Sequence, residues 1–349
     1  MYLRSGITKE CYGCFVCIDV CRIGAISIKK KDDMYLYPEI DERKCIKCKK
    51  CFNICSSVSS YTEFNYPVSS FAGVINNKQD FLKSSSGGAF KAIIKSVLKM
   101  YQSKYTAFYC AGVKYDERFR VINDIVKITN EQSVDVFSKS KYIHSNPVGV
   151  YEKCKEILSD ENNFLIFTGT PCQVAALQSY IVKPCENILC VDLICHGAPS
   201  QYFFDEYVKS IENKHNSKLI NYEFRTKKTL ENGTNYNRSS AYLFENGVER
   251  RVSRLDDDFL LAFYTGKYEV RPSCNSCKYK KEYRVSDITI GDAWGIETVF
   301  KELIPTRGVS SIIIVTKKGK CLENYIRKEM KVYEFDYKAM IQNNKALRG

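Results

Sequence analysis

Eight cysteines in the first 55 residues fall into two runs of one form, Cys11-x2-Cys14-x2-Cys17-x3-Cys21 and Cys45-x2-Cys48-x2-Cys51-x3-Cys55. A cubane iron–sulfur cluster needs four thiolates converging on its corners. The x2 spacing wraps a short loop around three corners, and the fourth ligand must come from elsewhere. Zinc is a poor fit, because structural zinc sites use separated pairs of cysteines. A disulfide framework is a poor fit too: Met1 leads straight into Tyr2-Leu3-Arg4-Ser5-Gly6 with no apolar signal core. Seventeen cysteines then imply a reducing, cytoplasmic setting and metal ligation. The chemistry on offer is electron transfer.

In two-cluster ferredoxins the fourth cysteine of each run crosses to the other cluster. That pattern groups Cys11, Cys14, Cys17 and Cys55 on one 4Fe-4S cluster, and Cys45, Cys48, Cys51 and Cys21 on a second. Arg22-Ile23-Gly24-Ala25-Ile26 resembles the turn of bacterial ferredoxins, except that Arg22 and Ser56 stand where a proline usually follows the fourth cysteine. No ligand is lost by that change.

Four further cysteines sit where a fold could gather them. Cys172 follows Thr168-Gly169-Thr170-Pro171, Cys195 ends an apolar run, and Cys274-x2-Cys277 forms a pair. Together they supply thiolates for a third cluster or, less fittingly, zinc; alternatively they are ordinary core cysteines. Cys110, Cys154, Cys185, Cys190 and Cys321 are scattered and read as structural. Two small-residue turns precede helical patterns, Ser84-Ser85-Ser86-Gly87-Gly88 and Thr168-Gly169-Thr170. Each offers hydroxyls and backbone N–H groups at a positive helix end, a setting for a pyrophosphate; equally, each is a simple helix cap. Neither matches a named phosphate-loop motif. His196 follows Cys195 and is a candidate proton carrier, or a plain loop histidine. Asp292, in Gly291-Asp292-Ala293-Trp294-Gly295, is a candidate for orienting a cofactor ribose or donating a proton, or a turn cap.

These residues need elements to hold them. Ser56 to Ser60 and Asn65 to Ser70 read as a linker, which ends a two-cluster module near residue 65. Strands are expected at Phe71–Ile75, Tyr105–Ala111, Val121–Ile128, Phe164–Phe167, Ile188–Cys195, Ser286–Ile290 and Ser310–Thr316. Lys218–Arg225 and Ser239–Phe244 read as a hairpin. Helices are expected at Ala89–Met100, Val148–Leu158, from Cys172, to about Asn213, and from Lys320. This β-turn-α repetition predicts an α/β core whose strand ends feed ligand loops.

At 349 residues the chain suits two or three domains, and 44% hydrophobic with 27% charged residues is an ordinary globular composition. No window approaches the ~18 apolar residues of a membrane helix. The net charge is +13, with basic clusters at Arg225–Lys228, Arg250–Arg254 and Lys278–Arg284. The last of these is expected to steer an acidic electron carrier such as a ferredoxin or flavodoxin. No nucleic-acid recognition motif accompanies them.

Taken in order, Ser84–Gly88, Ser138-Lys139-Ser140-Lys141-Tyr142, Thr168–Gln173, Asp192–Gly197, Phe224-Arg225-Thr226-Lys227, Cys274-x2-Cys277 and Asp287–Gly295 resemble the coenzyme F-420 hydrogenase/dehydrogenase beta-subunit family. The resemblance covers nearly all of the chain after residue 65. It implies an α+β ferredoxin-like module followed by an α/β flavin-binding core with a mixed sheet, divided as 1–65, 66–150 and 151–349. It implies FAD among Ser86, Gly87, Gly88, Lys141, Thr168, Gly169, Thr170 and Gln173, and a third 4Fe-4S cluster on Cys172, Cys195, Cys274 and Cys277. The activity implied is reduction of a small molecule, such as a deazaflavin or a surface-polysaccharide intermediate. The rivals are a non-catalytic electron-transfer subunit and a redox sensor.

Overall fold

The computed structural model describes residues 1–58, 63–182, 185–227, 239–266, 270–303 and 308–348. Ser59 and Ser60 of the expected linker and Lys228 of the first basic cluster lie outside them.

The N-terminal module carries a two-stranded antiparallel hairpin, β1 (Ile26–Lys30) and β2 (Leu36–Ile40). Each cysteine run wraps a loop that ends in one helical turn, Val16–Asp19 or Lys50–Asn53. Beyond it lies an eight-stranded mixed sheet built from β3 (Ser69–Ile75), β4 (Ala107–Tyr115), β5 (Val121–Lys127), β6 (Asn163–Gly169) and β7 (Ile188–Leu193). It is completed by β11 (Ile288–Asp292), β12 (Ser310–Ile314) and β13 (Met330–Tyr333). The order is β13-β3-β12-β11-β7-β6-β4-β5. β11, β7, β6 and β4 run parallel at the centre, with antiparallel strands on both flanks. The eight strands come from both sides of residue 150.

The central strands are apolar on both faces, as parallel strands between helical layers must be. Alternation sorts their side chains: Phe164, Ile166, Leu189 and Val191 enter one core, where the helices Ala89–Tyr101 and Lys317–Glu329 pack. Leu165, Phe167, Ile188 and Cys190 enter the other, against the helices Val150–Leu158 and Pro171–Ile181. Cys14, Val16 and Ile54 belong to that second core. The N-terminal module is thus sunk into the sheet's helical layer. Tyr151 donates its hydroxyl to the Cys14 carbonyl (2.9 Å) and Tyr279 to the Ser56 carbonyl (2.6 Å), and the Asp19 carboxylate accepts from the N–H groups of Gly149 and Tyr151.

A smaller antiparallel sheet, β8 (Leu219–Glu223), β9 (Ser239–Phe244) and β10 (Glu249–Ser253), packs on the helix Gln201–His215. Asp257 pins it by accepting from the hydroxyls of Tyr207, Tyr222 and Ser240.

Some expected boundaries move. Ser69 and Ser70, read as linker, begin β3; Thr168 and Gly169, read as a turn, finish β6. β7 stops at Leu193, so Cys195 lies in the loop beyond it.

Candidate functional site

Cys11, Cys14, Cys17 and Cys55 all line one small cavity of about 20 Å³. Burial pushes the Cys14 thiol up to about 12, and nearby Cys55 adds to it. Burial raises Cys17 as well, beside Cys14, Cys11, Cys55 and Cys51. The second set gathers likewise: burial raises Cys51, with Cys48, Cys21 and Cys45 next in effect. Cys55 thus lies with the thiols of the first run and Cys21 with those of the second, while Cys51 also lies near Cys17. The surroundings of the two sets differ, since Cys14 and Cys17 are buried while Cys48 is exposed.

The core cysteines meet at the carboxyl ends of the parallel strands, where open α/β sheets hold ligands. Cys172 opens the helix Pro171–Ile181, Cys195 follows β7, and Cys274 and Cys277 lie in and just after the turn of helix Pro272–Asn275. All four line a single cavity of about 850 Å³. Burial raises every one of these thiols, Cys274 to about 12, and neighbouring thiols of the same set add to it in Cys172, Cys195 and Cys274. Half-buried thiols gathered in one place are costly to ionise; a metal that deprotonates them outright removes that cost. Among the described residues, no three His, Cys, Asp or Glu side chains close tightly enough for a single metal ion.

Tyr12 and Tyr279 stand between the inner module thiols and the core thiols, edge to face with centroids 5.5 Å apart. Tyr12 is raised to about 12 by burial, and the nearby Cys277, Cys172 and Cys274 add to it. The two thiol sets therefore share an aromatic boundary.

The same cavity runs on to the small-residue turns. Gly88, at φ +88, starts the 13-residue helix Ala89–Tyr101, and Thr170 starts the 11-residue helix Pro171–Ile181. Ser86, Gly88, Lys141, Thr168, Gly169, Thr170 and Gln173 line the cavity, and Gly87 does not. A Cβ on Gly87 would lie 2.1 Å from the Gly73 carbonyl oxygen, so this glycine lets the turn press onto β3. Gln173 is committed locally: its Oε1 accepts from Thr170 N–H (3.0 Å) and its Nε2 donates to Ser145 (2.8 Å). Thr168 donates to the Ala111 carbonyl. These two residues shape the turn, Lys141 brings charge to the cavity wall, and Lys227 lies behind the serine turn.

Both lysines are depressed by burial, Lys141 to about 8 and Lys227 to about 7. Lys227 Nζ donates to the carbonyls of Phe81 (2.7 Å) and Ser86 (2.6 Å), bracing the turn from beneath. A cradle of two helix N-termini and Lys141 fits a dianionic pyrophosphate.

His196 and Asp292 both line the cavity. His196 packs against Trp294 (4.8 Å between centroids), and burial lowers its pKa below the usual histidine range. Asp292 is held by Arg225, whose Nη1 lies 2.8 and 3.1 Å from the two carboxylate oxygens. In that pair Asp292 acts as an acceptor, which suits orienting a hydroxyl.

The steering face expected at Lys278–Arg284 is not a free surface. Lys280 donates to the carbonyls of His196 and Cys274, Lys281 caps the Phe64 ring, and Arg284 is buried against Asp192 (3.0 Å). Arg284 turns inward, while Lys278, Lys280 and Lys281 stay half-buried beside Cys277. The exposed basic rim lies elsewhere, at Arg43, Lys44, Lys47, Lys49 and Lys50 around Cys48.

Sequence reasoning left out Tyr12, Tyr151, Tyr279, Arg271 and Lys227 as individual actors. Lys227 had a signal, since it closes the Phe224–Lys227 motif. The tyrosines had none, because their partners are 137 to 266 positions away in sequence.

Comparison with known proteins agrees with this geometry. Residues 163–338 match the family described as the C terminus of the coenzyme F420 hydrogenase/dehydrogenase beta subunit, and residues 10–58 match a 4Fe-4S dicluster domain. The chain is 22% identical over 334 residues to one of the subunits of the F(420)H(2) dehydrogenase of Methanosarcina mazei, covering 93% of this chain and 84% of that one. Its fold is similar to a chain of the F420-reducing [NiFe] hydrogenase complex from Methanosarcina barkeri, with TM-score 0.50 and 16% identity over 82% of this chain and 92% of that one. No helix among the described residues is long and apolar enough to cross a membrane. With a dicluster module ahead of a core that matches along half of the chain's length, the protein belongs to the coenzyme F420 hydrogenase/dehydrogenase beta-subunit family.

Proposed function

We propose that this chain is an iron–sulfur flavoprotein oxidoreductase that takes single electrons from a soluble carrier and delivers them to a small-molecule acceptor. The observation that supports this reading most is the 850 Å³ cavity, which joins four thiols, two helix N-termini and Lys141 in one space. That volume lies within the range of cofactor and substrate pockets. Residues 1–65 form the two-cluster module, Cys172, Cys195, Cys274 and Cys277 hold a third cluster, and residues 66–150 and 151–349 together enclose FAD. When bound, these groups supply one-electron transfer and its conversion to two-electron chemistry.

The chain's own residues do the rest. Ser86, Gly88 and Thr170 present donors to the pyrophosphate, with Lys141 alongside and Lys227 holding the turn in shape. Tyr12 and Tyr279 exclude water between thiol sets. Asp292, fixed by Arg225, orients an acceptor hydroxyl, and His196 carries a proton at its ring nitrogen. A deazaflavin and a polysaccharide intermediate are the acceptor classes in view; the names of the two relatives favour the former. Those names also favour a second reading, in which the chain wires a partner protein and has no small-molecule acceptor of its own.

Anaerobic reconstitution with iron, sulfide and FAD, followed by rapid mixing of the reduced protein with a deazaflavin, tests the proposal. Flavin reoxidation matched by deazaflavin reduction is expected. Cys172→Ser should keep flavin and module iron yet lose its reduction by the carrier. Retained flavin that reoxidises only against a partner protein would establish the second reading instead.

A further inference from the structure

Among the described residues two arginines are almost completely buried, and they differ in one respect. Arg284 carries its own counterion: Nη2 lies 3.0 Å from the Asp192 carboxylate, and Nε donates to Thr289. Arg271, at 0% exposure, has no carboxylate within ion-pair distance among the described residues. Its Nε donates to the Cys11 carbonyl (2.6 Å), and its Nη2 donates to the Leu36 carbonyl (2.8 Å) and to Cys11 Sγ (3.3 Å). Its Nη1 is buried with no partner among the described residues. The guanidinium lies over the Tyr37 ring at 4.2 Å, with Tyr35 at 5.5 Å. A buried cation without an anion is expensive, and aromatic faces and carbonyls offset only part of that cost.

We infer that Arg271 is the countercharge of the cluster held by Cys11, Cys14, Cys17 and Cys55, and that it raises this cluster's reduction potential relative to the exposed one. A four-thiolate cluster is anionic and gains one more negative charge on reduction. A fixed cation and an N–H bond to a ligand sulfur favour the reduced form more than the oxidised one. No cation is bonded to the thiols of the outer set among the described residues, and Cys48 there is open to solvent, where water screens charge. The inner cluster is therefore the one at which an electron rests on its way inward. Arg271 also ties the inner set to the core set. The Cys274 N–H donates to the Arg271 carbonyl (2.7 Å), and Ser273 donates to the same Cys11 carbonyl that Arg271 binds (2.8 Å).

This inference rests on the cluster assignment proposed above, and its test separates the two. Arg271→Gln and Arg271→Lys are reconstituted in the full chain, iron is counted, and both module clusters are titrated potentiometrically with EPR detection. Arg271→Gln should lower the one-electron reduction constant of one module cluster at least tenfold, a shift of 59 mV, and leave the other unmoved. Arg271→Lys should restore most of that difference. Loss of inner-cluster iron in Arg271→Gln with full retention in Arg271→Lys also supports the countercharge role. Equal shifts in both clusters, no shift, or identical behaviour of the two variants overturns it. Wild-type protein with fewer than about eight irons would instead sink the cluster assignment itself.

Discussion

The two cysteine runs share a backbone and differ in everything around it. In each, the second residue after the first cysteine and the residue after the second cysteine are left-handed: Gly13 and Phe15 at φ +67 and +53, Lys47 and Lys49 at φ +55 and +61. The spacing imposes that geometry, because three thiols of one loop must turn toward a common point. The inner loop then packs Cys14 and Val16 into the sheet's helical layer beneath Tyr151 and Tyr279. The outer loop shows Ile46, Cys48 and five basic side chains to solvent. A repeated motif thus fixes what is bound, while the packing around it fixes which copy meets a partner and which copy meets the core.

Removing one thiol from each loop should separate the two most strongly. Cys14→Ser and Cys48→Ser should each lose about four irons, by iron assay. Only Cys14→Ser should also lower the thermal midpoint markedly, since it disturbs a buried core. Equal losses of stability would erase the distinction.

A smaller contrast comes from the left-handed positions. A Cβ on Gly13 would lie 2.6 Å from His144 Cε1 and 2.8 Å from Arg271 Nη1. Gly13→Ala should therefore cost roughly 2–3 kcal/mol in denaturant unfolding, from strain and overpacking together. Lys47→Gly, at an exposed site of like conformation, should be neutral or stabilising by about 1 kcal/mol.

The outer loop alone should govern carrier docking. Reduction by an acidic carrier should slow as ionic strength rises, and Lys47→Glu with Lys49→Glu should slow it about tenfold at low salt without changing the midpoint of unfolding. A rate flat from low to high salt would contradict docking there.

The third site adds a pH test. Lys227 and Lys141 sit near 7 and 8 because burial disfavours their charged forms. A bound pyrophosphate raises Lys141, the one of the two that lines the cavity, so binding takes up a proton. FAD affinity should fall as pH rises past about 8, by up to about tenfold per unit. Lys141→Met should flatten that slope in a fluorescence titration.

The dicluster module was legible in the sequence because cluster chemistry ties residue type to local spacing. Buried strands such as Phe164–Phe167 were legible because parallel strands are apolar on both faces. The inward turn of Lys278–Arg284 was not, since charge in a sequence carries no sign of which face it will occupy. Arg284 needs Asp192, and only the pairing of β7 with β11 brings that partner near. The hairpin of β1 and β2 escaped because Lys29, Lys30 and Pro38 obscure its alternation. Arg271 was invisible for the same reason as the tyrosines: Cys11 lies 260 positions away.

The most direct measurement is iron and flavin content of the anaerobically purified chain. About twelve irons and one FAD per chain are expected from three four-thiol sets and one cradle. About eight irons would remove Cys172, Cys195, Cys274 and Cys277 as ligands, and absence of flavin would contradict the oxidoreductase reading.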